Sequence, residues 1–178
     1  MADTMPRCPV EVSMTRTLPV ILPLLLTLLL AACGTLLVTP AFVAEPLERF
    51  PAGSVIIEAH GRKHPFKVWV ADTGARRSQG LMFVKRLDAD RGMLFLFEKP
   101  TRAAMWMYNM AIPVDMLFIA ADGSVLSVAH NAVPHSLKTI HSDGTVTGII
   151  ELPGGTATRL HLDAGDHVRH SHFAQVAR

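Results

Sequence analysis

One stretch of the chain, AAMWMYNMAIPVDMLFI at residues 103–119, concentrates side chains that are capable of chemistry. It holds four methionines, the only tyrosine, one of the two tryptophans (Trp106), and the polar residues Asn109 and Asp115. Asp115 opens an otherwise apolar run, and a charged group is rarely buried without partners. The stretch is therefore either a sulfur-rich core strand or part of a site.

Two interpretations of the polar residues stay open. In the structural one, Asp115 and Asn109 accept hydrogen bonds from backbone N–H groups near the turn at Pro113. In the functional one, Trp106, Asn109, Asp115 and Glu151 surround one pocket, Glu151 entering from the apolar run GIIEL. Two carboxylates, an amide and an aromatic floor would suit a sugar or another polar small molecule.

The same carboxylates suggest an alternative function. Asp115 and Glu151 are the candidate catalytic residues of an acid/base hydrolase, provided that the fold holds them at a suitable separation.

Methionine and histidine side chains suggest metal sites. Met107 and Met110 are candidate Cu(I) ligands, because thioethers favour soft metals, although methionines at this spacing usually fill a core. Three histidines near the C-terminus, His167, His170 and His172, have no acidic or cysteine ligand at metal spacing. No cofactor is predicted.

The N-terminal region indicates export. Arg16 precedes an uncharged apolar run at residues 18–32, as in a signal peptide, and Met14 is an alternative start to Met1. The run ends in LAACG, which is similar to the lipobox of bacterial lipoproteins and makes Cys33 the predicted lipidation site. We expect a protein on the periplasmic side of the cell envelope, anchored to the membrane by lipid.

Two other interpretations of this region also place the domain outside the cytoplasm. Residues 18–38 are long enough for an uncleaved spanning helix, which needs about 20 residues. Alternatively, cleavage after Ala41 or Ala44 would release a soluble periplasmic protein.

Composition limits the class of protein. The 178 residues are 49% hydrophobic and 18% charged, which is typical of a folded domain. The net charge is +2, with acidic and basic residues interspersed and no basic block. Nucleic acid is therefore not an expected partner.

The remaining pattern predicts a mainly β fold. Residues 1–32 are assigned to the signal peptide, 33–53 to a proline-rich tether, 54–172 to the β domain and 173–178 to a tail. Short apolar runs with β-branched residues alternate with turns, Asp122-Gly123 predicts a hairpin, and a last strand is expected at His167–Arg169. Residues 75–79, between a capping Asp72 or Thr73 and Gly80, predict a short helix. We expect a small β-sandwich, jelly-roll-like, or a partly open barrel, with one or two short helices.

Three blocks carry a family resemblance. VADTGARRSQGLMFVKRLDADRGMLFLF, MWMYNMAIPVDMLFIAADGSV and IIELPGGTATRLHLDAGDHV resemble, in order, the domain of unknown function 192 (DUF192) family from about Ser54 to Val168. The resemblance implies a jelly-roll-like sandwich with short helices and supplies no established activity. Tyr108 and Met110 stand where the family usually has a charged residue and a threonine.

Together these features predict an exported, membrane-anchored, non-catalytic binding module for a small molecule or a cell-wall component. The expected ligand-binding residues are Trp106, Asn109, Asp115 and Glu151. The hydrolase and the copper-handling protein are the alternatives.

Overall fold

The structure, a computed structural model, describes residues 42–176, with side chains up to residue 173. A compact unit begins at Val43. The predicted signal peptide and Cys33 lie outside the described residues. No helix within the described part is both long and apolar enough to cross a membrane.

Strands dominate this unit, which confirms the mainly β prediction. The seven strands are β1 (Ala52–Ala59), β2 (Arg62–Ala71), β3 (Arg91–Met105), β4 (Val114–Ile119), β5 (Val125–Ala132), β6 (Ile140–Pro153) and β7 (His167–Arg169). Three short helices are present in the described part, one more than expected: α1 (Gly74–Gln79), α2 (Thr156–Leu160) and α3 (Ser171–Val176). A 3-10 turn covers Leu47–Arg49.

The strands form one sheet in the order β5-β4-β6-β3-β2-β1-β7. An isolated bridge between Ser124 and His167 joins the two ends of this order, so the sheet curls into a half-barrel. Of the architectures expected from sequence, the partly open barrel describes this sheet.

One strand pairing departs from a simple antiparallel pattern. β2 and β3 are parallel, whereas the other pairs are antiparallel. Parallel neighbours need a long crossover connection, and residues 72–90, which include α1, provide it. The helix itself follows the sequence prediction: Thr73 Oγ1 accepts a hydrogen bond from the N–H of Arg76, and Gly80 ends the helix with a φ of 51°.

The two faces of the sheet bury separate apolar clusters. One cluster draws on all seven strands and fills the concave side; its members include Val55, Phe66, Leu94, Leu117, Val125, Ile150 and Val168. The second covers the opposite face, next to α1; it includes Leu81, Met93, Phe95, Met107, Met116 and Ile149. Side chains alternate between these faces along each strand, which decides where each polar candidate lies.

Candidate functional site

Glu151 lies in the middle of the sheet. Its strand, β6, runs between β3 and β4, and Glu151 pairs with Met93 on one side and Met116 on the other. The residue is 1% exposed. A carboxyl group is thus held on the α1 face of the sheet between two flexible apolar side chains.

The carboxyl group of Glu151 has an unsatisfied oxygen atom. Its Oε2 atom is buried and has no hydrogen-bond partner in the described part of the chain. Burial disfavours the charged form and raises the pKa of Glu151 to about 8. At neutral pH the group is mainly a neutral carboxylic acid, which donates one hydrogen bond and accepts others.

A cavity of about 360 Å³ adjoins Glu151. One wall is formed by the end of α1 and the turn after it, and a second by β3, including Phe95 and Met105. Trp106 and Tyr108 complete the lining near the surface, where their side chains are about half exposed. We call this space the Glu151 cavity; its volume lies within the range of small-molecule sites.

The two aromatic rings form a pair at the cavity. The ring centroids of Trp106 and Tyr108 are 5.8 Å apart, with an interplanar angle of 47°. Such rings present apolar faces on which the C–H face of a sugar or an aliphatic group can pack. The cavity therefore combines an apolar entrance with a polar group at its base.

Arg77 is fixed in the wall of the cavity. One of its terminal nitrogens donates to the carbonyl oxygens of Asp72 and Leu96, at 2.7 and 2.9 Å. The guanidinium also lies over the ring of Phe97, 5.5 Å from its centroid. These contacts hold α1 against β3 and leave the cavity pre-formed.

The segment before β1 secures the same helix from the other side. We call residues 43–50 the N-terminal strap. The side-chain amide of Gln79 exchanges two hydrogen bonds with the backbone of Glu45, at 2.6 and 2.7 Å. Arg76 forms an ion pair with the Glu45 carboxylate at 3.2 Å. Since Gln79 also lines the cavity, the strap helps to position that wall.

Asp115 lies on the opposite face of the sheet from Glu151. It pairs with Leu152 rather than Glu151, which puts its side chain on the concave face. The carboxylate is fully buried and accepts two hydrogen bonds of 2.7 Å, from the N–H groups of Asn131 and Ala157. Ala157 lies in the first turn of α2, whose N-cap, Gly155, has no side chain to cap it. Asp115 thus supplies a missing helix cap.

Asn109 serves a turn. Its φ is 55°, a left-handed conformation that asparagine tolerates, and its carbonyl accepts a hydrogen bond from the N–H of Phe83 at 2.9 Å. Of the four expected ligand-binding residues, the structure brings Trp106 and Glu151 to one cavity and places Asn109 and Asp115 outside its lining. The hydrolase alternative needs Asp115 and Glu151 on one substrate, and their positions on opposite faces do not support it.

The metal candidates are also separated. Met107 is completely buried in the core, whereas Met110 lines the cavity. Within residues 42–176, no group of three His, Cys, Asp or Glu side chains is arranged to hold a metal ion. His167 Nε2 donates a hydrogen bond to the carbonyl oxygen of Asp122, 2.9 Å away.

The residues that sequence reasoning missed are those of α1 and the outer half of β3. Arg77, Gln79 and Met105 line the cavity with Glu151, although they lie far from it in sequence. The parallel pairing of β2 and β3 brings them together. No local pattern in these residues signals that pairing.

The family model of DUF192, described as Uncharacterized ACR, matches residues 55–170. No curated protein matches.

Two solved structures are similar. A protein from Sinorhizobium meliloti, described as a "putative transcription regulator", is 39% identical with a TM-score of 0.67; the match covers 68% of this chain and 95% of that one. A protein of unknown function from Novosphingobium aromaticivorans is 33% identical with a TM-score of 0.68, covering 72% and 91%. Because the family model matches more than half of the chain, and with it all the cavity residues, this chain belongs to the DUF192 family.

Proposed function

We propose that this chain is an exported protein, held at the membrane by an N-terminal anchor, whose β domain binds a small polar molecule or a cell-wall component in the Glu151 cavity. One observation carries the binding proposal: Glu151 Oε2, buried and without a partner, at the base of a cavity of about 360 Å³. An unsatisfied buried polar atom is costly, and a ligand that hydrogen-bonds to it removes that cost.

The carboxyl group of Glu151 favours a polar ligand with hydroxyl or amide groups. With a pKa of about 8, Glu151 is mainly uncharged at neutral pH and offers both a donor and an acceptor. The rings of Trp106 and Tyr108 suit the apolar face of a sugar. An N-acetylated sugar, such as those of the bacterial cell wall, has both features.

Fluorescence titration tests the binding proposal. Because Trp106 lines the cavity, the intrinsic fluorescence of the protein should change when N-acetylglucosamine oligosaccharides bind. Glu151→Leu removes the hydrogen bond and should weaken binding about 5- to 150-fold, since such a loss costs about 1–3 kcal/mol. Glu48→Gln, which changes an exposed carboxylate on the strap, is the matched control and should bind as the unaltered protein does. Equal affinities for all three proteins would contradict the proposal.

The anchor proposal is supported by the sequence alone, by Arg16, the apolar run at 18–32 and Cys33. Labelling the native host with a palmitate analogue should tag the full-length protein and should not tag Cys33→Ser. An unlabelled protein that still fractionates with membranes would instead indicate an uncleaved span, and a soluble periplasmic protein would indicate cleavage further on.

A further inference from the structure

Three loops of the domain form one continuous surface. They comprise residues 81–87, 106–110 and 133–138, and we call them the loop surface. Backbone hydrogen bonds of 2.9, 3.0 and 3.2 Å join them: Phe83 N–H to Asn109 O, Met107 N–H to Ser136 O and His135 N–H to Met110 O. The loops are therefore parts of one ordered patch, although they are separated in sequence.

Large apolar side chains are exposed on this patch. Its five exposed members are Phe83, Trp106, Tyr108, Val133 and Leu137, each between 47% and 67% exposed. Elsewhere in the domain, from β1 onward, the comparable exposed side chain is that of Ile56, at 37%. Such a concentration usually marks an interaction surface.

The backbone of the loop surface is constrained as well. Phe83 and His135 have φ values of 66° and 59°, in the left-handed region. A bulky residue rarely adopts this conformation. At Phe83 the fold combines an unfavourable backbone conformation with an exposed aromatic ring, and neither feature serves the core.

The charge of the loop surface is positive. It carries Lys85, Arg86 and Lys138 and no carboxylate. Lys85 and Lys138 make no ion pair within the described residues, while Arg86 lies 3.7 Å from Asp88 in a pair exposed to solvent. Exposed pairs of this kind neutralise little. The patch thus combines free cations with Trp, Tyr and Phe.

We propose that the loop surface docks on the headgroup region of a bilayer that contains anionic phospholipid. Tryptophan and tyrosine favour the membrane–water interface, and clustered Lys and Arg are attracted to anionic lipid. On such a bilayer the aromatic rings would lie at the interface and the unpaired lysines would contact the anionic headgroups, so this occupant uses both features of the patch.

The length of chain between the predicted anchor and the domain allows this docking. Glu45 is held against α1, and the chain from the end of α1 leads directly into residues 81–87. From Cys33 to Val43 the chain can span at most about 35 Å. In this respect the inference rests on the proposed localisation. Because Trp106 and Tyr108 also line the Glu151 cavity, docking would place that cavity at the bilayer surface.

Vesicle sedimentation tests the inference without the anchor. The domain from residue 43 onward is suitable, because it has its own core and because the similar crystallised proteins consist almost entirely of the matched region. We expect it to sediment with vesicles of phosphatidylcholine containing 30 mol% phosphatidylglycerol, a probe composition of the order used to mimic anionic membranes, and at least tenfold more weakly with pure phosphatidylcholine.

Matched variants locate the contact. Lys85→Ala combined with Lys138→Ala should weaken binding about 30-fold, because each cation near an anionic surface contributes about fivefold. Phe83→Ala should also weaken it. The controls are Ile56→Ala and Arg62→Ala, an exposed apolar residue and an exposed cation outside the loop surface; they should bind as the unaltered domain does.

Fluorescence quenching gives a second measurement. In a Trp69→Phe background Trp106 is the only tryptophan, and brominated lipids should quench its emission. Three sedimentation results would overturn the inference. The domain could bind neither kind of vesicle, which would leave the surface to a protein partner, or it could bind both kinds equally. The control variants could also lose as much binding as the loop variants. Absence of quenching in sedimenting protein would also overturn it. Ligand binding by the cavity is measured without vesicles, so its failure would be a separate result.

Discussion

Replacing Glu151 by glutamine should change how the stability of the domain depends on pH. The change keeps the shape of the side chain and removes its titration. In the folded protein burial raises the pKa of Glu151 from 4.5 to about 8. The difference corresponds to about 5 kcal/mol, at 1.36 kcal/mol per pKa unit.

The direction follows from proton binding. Below pH 4.5 both the folded and the unfolded states hold the proton, so the group imposes no electrostatic penalty. Between pH 4.5 and about 8 the unfolded state has lost the proton and the folded state retains it, so the stability of the domain falls by about 1.4 kcal/mol per pH unit. Above pH 8 both states are ionised and the loss is complete.

Urea unfolding at pH 5, 6, 7 and 8, followed by tryptophan fluorescence, measures this effect. The free energy of unfolding of Glu151→Gln minus that of the unaltered domain should rise by about 3–4 kcal/mol from pH 5 to pH 8. Groups that titrate equally in both proteins cancel in this difference. Glu48→Gln, at an exposed position, should give a flat difference. Parallel pH profiles for Glu151→Gln and the unaltered domain would refute a buried, unpartnered Glu151.

Three further substitutions should have distinguishable effects. Asp115→Asn retains one acceptor for the N–H groups of Asn131 and Ala157 and should lower the free energy of unfolding by about 1.5–3 kcal/mol, measured by urea unfolding; an unchanged midpoint would contradict the capping role. Gln79→Ala removes two hydrogen bonds to the N-terminal strap and should lower the free energy of unfolding by about 1–2 kcal/mol. It should also make the strap more susceptible to limited proteolysis, and unchanged cleavage would show that the strap does not depend on Gln79. Trp106→Ala should lower the free energy of unfolding by less than about 1 kcal/mol, because the residue is 55% exposed. It should nevertheless weaken ligand binding about tenfold. A large loss of stability with unchanged affinity would show a purely structural role.

Local features of the fold could be predicted from the sequence. The helix over residues 75–79, the Asp122-Gly123 turn and the last strand at His167–Arg169 all occur where the pattern placed them. Each depends on nearby residues, such as a capping threonine or a glycine with positive φ. Short-range chemistry determines these features, so sequence reasoning finds them.

Features that depend on contacts between distant segments were harder to predict from the sequence. The parallel pairing of β2 and β3 and the curling of the sheet result from packing between distant segments, for which the sequence shows no local signal. The third helix, Ser171–Val176, begins at the end of the predicted β domain and continues into the predicted tail. Tertiary contacts decide these elements more than propensity does.

In the candidate site, too, residue types could be predicted from the sequence, whereas the contacts between distant residues could not. Residue type singled out Glu151 and Trp106, and the structure places both at one cavity. Asp115 had two interpretations, and the donors that satisfy it are 16 and 42 residues away, too far for a turn-based prediction to identify. The period of two along β4 and β6 separates its carboxylate from that of Glu151, but only the strand register shows which residues share a face.

Native mass spectrometry of the protein isolated from its own host, without chelators, tests the central claim most directly. The account predicts a bound organic molecule that is retained by the unaltered protein and by Glu48→Gln, and that is lost or much reduced in Glu151→Leu. An organic mass retained equally by Glu151→Leu, or a protein that stays unbound both on isolation and across a titration with cell-wall saccharides, would contradict a ligand site at Glu151.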